Sequence, residues 1–111
     1  MKSVIVYRHT TFFRIMKLAV TLDDLRKGLL GKTTAGSGLF LMGANRIHTF
    51  GMKIPIDVVY LNPFGLVIGI EEHLMPNREG IAFEGTRHVV ELNAGAIRRH
   101  QITVGEQWHW Q

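Results

Sequence analysis

The sequence predicts an α+β, mostly β fold. The expected form is a small rolled sheet or barrel-like domain with one clear helix at about 21–31 and one short helix at about 93–100. Three observations predict it. Short runs of β-formers recur along the chain, each bounded by Gly, Pro or Asn. Asn62-Pro63-Phe64-Gly65 is a turn signal between two such runs, with Pro supplying its preset φ and Gly closing the turn. The stretch from Thr21 to Gly31 combines a helix start with helical spacing. At 111 residues the chain is expected to form one domain, 1–111.

Taken in order, Val4–Tyr7 is a strand and RHTTF a polar break, so the first twenty residues read as a hairpin. Phe12 to Val20 has apolar residues on both sides, which predicts a curved strand or one buried on two faces. Thr21 then places a hydroxyl at a helix N-cap, with Asp23 and Asp24 in the first turn against the positive end of the dipole. Leu22, Leu25 and Leu29 share a helical stripe, and Gly31 is the expected stop. Thr33–Gly38 is a small-residue loop, Leu39–Met42 a short buried strand, and Gly43-Ala44-Asn45 its break. The turn at 62–65 joins Ile56–Leu61 to Leu66–Ile70 as a hairpin. Glu71–Arg87 is a polar excursion with a small strand expected at Ile81–Phe83. His88–Leu92 is a strand, Asn93 is the expected cap of the short helix, and Ile102–Trp110 is a last strand broken near Gly105.

Composition removes several classes. Hydrophobic residues are 46% and charged residues 20%, which excludes disorder. There is no cysteine, so disulfides and thiolate chemistry are excluded. Thirteen Lys and Arg against nine Asp and Glu leave a charge of +4, a mild preference for anionic partners. No apolar run approaches the roughly 20 residues that span a bilayer, and the start has no secretory pattern, so a cytoplasmic protein is expected.

Motifs are weighed against plainer explanations. Gly31-Lys32-Thr33 looks like the end of a phosphate-binding loop, but position 26 is Arg and a helix precedes rather than follows it. The six histidines are scattered, so neither a metal centre nor a cofactor is expected. Lys53, Pro55, Asp57 and Val59 share one strand face, with Ile54, Ile56, Val58 and Tyr60 on the other. Asp57 is therefore an acid among apolar neighbours, which must be paired, hydrogen-bonded or shifted in pKa. Lys53 is the nearest candidate partner, although a structural acid bonded to backbone N–H groups is the plainer reading. Glu91 in HVVELNAG poses the same question, with bonding to the following turn as its plainer reading. Trp108 and Trp110 share a face and read as packing aromatics before they read as base-stacking ones, despite nearby Arg98, Arg99 and His100.

Four stretches together carry a resemblance: LRKGLLGK at 25–32, GLFLM at 38–42, IHTFGMKIPIDVVYLNPFG at 47–65 and HVVELNAGAIRRHQITVGE at 88–106. They resemble the family catalogued as domain of unknown function 192. The central stretch is the specific one, through Phe50, Met52, Lys53, Pro55 and Asp57. Glu106 stands where the family usually has Asp, and Gln101 where Gly is common. The resemblance implies a compact β-rich α+β fold and brings no reaction, cofactor or substrate. Many relatives carry export signals or a membrane anchor, which this sequence does not show.

Three functions remain. The preferred one is a non-enzymatic binding module whose candidate site is Arg46, His48, Lys53, Asp57 and Glu91, for an anionic small molecule, another polar ligand or a protein segment. The alternative is a hydrolase using Asp57 or Glu91 as general base with His48 assisting. Non-specific nucleic-acid binding ranks third, because no basic run exceeds two residues.

Overall fold

The computed structural model describes residues 2–111. Its elements run β1 (Lys2–Arg8), β2 (Thr11–Ala19), α1 (Leu22–Lys27), β3 (Leu39–Met42), β4 (Ile56–Leu61), β5 (Val67–Leu74), β6 (His88–Asn93), α2 (Ala96–His100) and β7 (Trp108–Trp110). The strands form one sheet in the order β5-β4-β6-β3-β2-β1-β7. Neighbours are antiparallel except β2 and β3. A parallel pair needs a crossover, and α1 with the following loop supplies it.

The sheet rolls until its two ends touch at one corner. Leu66 bridges Gln107, the Val67 N–H donates to the Glu106 carbonyl at 2.9 Å, and the Trp108 N–H donates to the Gly65 carbonyl at 2.9 Å. Gly65 permits this approach, since its φ is +84° and a Cβ would collide with the Trp108 carbonyl. The contact ends there, so the sheet is rolled but does not close into a barrel. Closing would need a longer last strand, and β7 pairs only through its three residues with β1.

The central strands are buried on both faces. Phe40, Val59, Leu61, Val90, Leu92 and Trp108 pack inside the roll. Leu39, Leu41, Val58, Tyr60 and Val89 pack on the outer face beneath Leu29, Ala35 and Met52. This explains the near-continuous apolar runs of β4 and β6. The strand β2 departs from expectation: Phe12 and Ile15 are more than half exposed, and only its Met16 and Ala19 are buried.

Other boundaries also differ. The Thr21 hydroxyl does accept from the Asp24 N–H at 3.0 Å, but the helix stops at Gly28, not Gly31. Gly28 is the first residue that takes positive φ without strain, and its N–H closes the helix on the Asp24 carbonyl at 2.9 Å. Leu22, placed in the apolar stripe, is instead 80% exposed. The short helix starts at Ala96, and Asn93 does not cap it. The Asn93 amide holds the crossover loop instead, accepting from the Ala35 N–H at 2.7 Å and donating to the Gly36 carbonyl at 3.2 Å. Ile81–Phe83 forms no strand; Phe83 packs on the Tyr60 ring, and β5 runs on to Leu74. Gln101, where Gly is common, takes φ +53° at the end of α2.

Candidate functional site

Register decides where the two buried acids point. Glu91 lies opposite Val58 on one side and Leu39 on the other, while Asp57 lies opposite Leu92. Val58 and Asp57 are adjacent in sequence, so their side chains leave opposite faces of the sheet. Asp57 therefore faces the inside of the roll and Glu91 the outer face. The two carboxylates do not share a site.

Asp57 is fully buried and fully engaged. One oxygen accepts from the His73 N–H at 2.8 Å, and the other from the Gly95 and Ile97 N–H groups at 3.0 and 2.9 Å. The last two are orphan donors at the start of α2, so Asp57 does the capping expected of Asn93. Lys53 is exposed and is not its partner. Pro55 and Ile54 leave the sheet before β4 begins, which takes Lys53 out of the Asp57 row.

Glu91 is 3% exposed, and its Oε1 is buried without a hydrogen-bond partner among the described residues. Burial pushes its carboxyl up from 4.5 to about 7. No bond to the following turn forms. A Cβ on Gly28 would sit 3.6 Å from that oxygen, yet the Gly28 N–H is already given to Asp24. The end of α1 thus passes close over Glu91 without satisfying it.

A cleft of ≈ 400 Å³ opens at this point between α1, the end of β3 and the loop after it. Leu25, Leu29, Leu41, Ile47 and Met52 form much of its apolar lining, and Glu91 contributes a carboxyl. Arg26, Arg46 and His48 line the same cleft and are exposed. Of the five residues predicted from sequence, the structure brings Arg46, His48 and Glu91 together. It leaves Lys53 and Asp57 outside the lining. The loop that carries His48 and Phe50 is firmly held. Thr49 is fully buried, donates to the Met75 carbonyl at 2.6 Å and accepts from the Arg78 N–H at 3.0 Å. Asn77 accepts from the Gly51 N–H at 2.9 Å. His48 accepts the Phe50 N–H on Nδ1 at 3.2 Å and stacks on that ring.

Sequence reasoning missed the part played by α1. None of its six residues is buried, so it stands over the outer face as one wall of the cleft. The signal was present in Gly28, the first glycine after the helix start. It also missed Glu106, which is buried and accepts from the Arg8 guanidinium twice at 2.8 Å, from the Thr103 N–H at 2.8 Å and from the Trp108 indole at 3.0 Å.

The family model described as Uncharacterized ACR, domain of unknown function 192, matches residues 7–110. The chain belongs to this family. Two solved structures share the fold of this family member. A protein of unknown function from Novosphingobium aromaticivorans superposes with a TM-score of 0.80 at 23% identity, over 97% of this chain and 84% of that one. A protein from Sinorhizobium meliloti, described as a candidate transcription regulator, superposes with a TM-score of 0.77 at 20% identity, over 97% and 92%. At these identities the likeness establishes the fold alone. No curated protein matches the chain.

Proposed function

We propose that the protein is a non-enzymatic binding module that takes a small ligand in the cleft between α1 and the outer face of the sheet. One observation carries this reading: the unpartnered Oε1 of Glu91, buried where the cleft reaches the sheet. Buried polar groups in folded proteins are overwhelmingly hydrogen-bonded, so an acceptor left open at a cleft is a place for a ligand donor. The apolar lining supplies contact area, and the Arg26 and Arg46 cations supply charge at the exposed edge.

The alternatives lose parts to the same geometry. A hydrolase retains Glu91 and His48 but not Asp57, which faces the inside of the roll with both oxygens occupied. Nucleic-acid stacking loses its aromatics, because Trp108 is fully buried and Trp110 packs against Phe40 and His88. The test is a fragment titration followed by NMR. Shifts should cluster at Leu41, Met52 and Glu91 and vanish in Ala44→Trp, which fills the cleft. Shifts clustering elsewhere, or unchanged in the plugged variant, count against the reading.

A further inference from the structure

We infer that the ligand of this cleft is a small amphiphile with an apolar body, a hydrogen-bond donor at the end that meets Glu91, and an anionic group at the end that meets Arg26 and Arg46. The inference rests on the cleft being a ligand site and adds the chemistry of the occupant. It follows from the order of groups between sheet and solvent. Where the cleft meets the sheet there is an acceptor with no donor, Glu91 Oε1. Around it are the side chains of Leu25, Leu29, Leu41, Ile47 and Met52. At the exposed edge, Leu30 and Phe50 are about half exposed and Leu22 is 80% exposed, as an apolar mouth waiting for cover would be. Beside them are exposed cations.

Each simpler ligand fails on one of these levels. A plain hydrocarbon would cover Glu91 and leave its oxygen with neither water nor partner. A carboxylate entering first would set two acids against each other, which is unfavourable once Glu91 gives up its proton above about 7. A simple amine would meet Glu91 but would leave the cations at the edge without an anionic partner. Charge there is one-sided: Lys27 is held by Asp23 at 3.1 Å, whereas Arg26 and Arg46 have no carboxylate within salt-bridge distance among the described residues. The groups that face Glu91 do not answer its need either. Gly28 spends its N–H on Asp24, and the Tyr60 hydroxyl on β4 is donated to Glu71 at 2.8 Å.

The test compares octanoate, its omega-hydroxy and omega-amino derivatives, and octylamine by calorimetry and NMR on the whole chain. The omega-substituted acids should bind at least about tenfold tighter than octanoate, the effect of one hydrogen bond to a charged or buried acceptor. Glu91→Leu should erase that difference, and Arg46→Ala should weaken both acids roughly threefold while leaving octylamine unchanged. Glu91→Gln serves if the Leu variant does not fold: it should keep omega-hydroxy binding and weaken omega-amino binding. Octanoate binding as tightly as its derivatives overturns the donor half, and octylamine binding as tightly as the omega-amino acid overturns the anionic half. Either result leaves the cleft itself intact as a site. If no probe shifts Leu41, Met52 or Glu91, the cleft reading fails and the inference falls with it.

Discussion

The two faces of the central sheet treat a buried carboxylate in opposite ways. Inside the roll, Asp57 collects three backbone N–H groups from two separate segments and ties β5 and the start of α2 to β4. On the outer face, Glu91 Oε1 has no hydrogen-bond partner among the described residues, and burial sets the carboxyl near 7. The difference teaches how to separate a folding acid from a functional one. Both sit in apolar strand sequences and both are buried. What distinguishes them is whether the fold itself supplies the donors.

The largest expected effect comes from breaking the inner arrangement. Asp57→Ala leaves the buried Ile97 N–H and the part-buried His73 and Gly95 N–H groups without their acceptor, and at about 1–3 kcal/mol for a buried donor and less for the other two the loss should reach roughly 3 kcal/mol. Urea unfolding measures it. A loss below about 1 kcal/mol would mean that Asp57 is no more structural than Glu91.

The outer acid is tested by pH. Folded Glu91 keeps its proton up to about 7, whereas the unfolded chain releases it near 4.5. Its stabilising contribution is complete below about 4.5 and is lost as pH rises to about 7, by about 3 kcal/mol in all. The difference between wild type and Glu91→Gln, followed by thermal melts, should carry that slope. A flat difference would show that Glu91 gains a partner in solution.

A third acid sharpens the contrast. Burial pushes Glu106 up, but the bonds from Arg8, Thr103 and Trp108 outweigh it and hold the carboxyl down to about 2. Its contribution is present above about 4.5 and is lost as pH falls towards 2, the reverse of Glu91. Glu106→Gln should cost about 2 kcal/mol near neutral pH and remove part of the acid sensitivity. Chemical denaturation at two pH values checks both statements. The smallest effect is expected at α1. Thr21→Ala removes the N-cap bond and should cost about 1 kcal/mol or less, because the helix buries none of its residues. Hydrogen exchange should report faster opening at 22–25 with little change in β4 or β6.

Much of the fold is legible locally. The Asn62–Gly65 turn, the Leu39–Met42 strand and the Thr21 cap all depend on residues within a few positions of one another, and all three form as read. The misread boundaries share a cause: a distant segment decides the outcome. Asn93 reads as a cap because it precedes a helix, yet the crossover loop at 34–36 takes its side chain and Asp57 takes its role. Ile15 and Phe12 read as core by composition, but no layer covers their face of β2. At the candidate site, His48 and Arg46 are legible as neighbours and Glu91 as an odd acid. Their meeting beneath α1 is not.

By itself the sequence determined most of the strand segments, the Asn62–Gly65 turn between two of them, and that two acids lie where acids are costly. Those properties follow from side-chain chemistry and the two-residue repeat of a strand. Only the tertiary structure decided that Glu91 lies opposite Val58, and hence that Asp57 and Glu91 face apart. Only it decided that the crossover passes over Glu91 without bonding it. The physical reason is that register and crossover path are set by pairings between segments far apart in the chain, and a shift of one residue would turn every side chain to the other face.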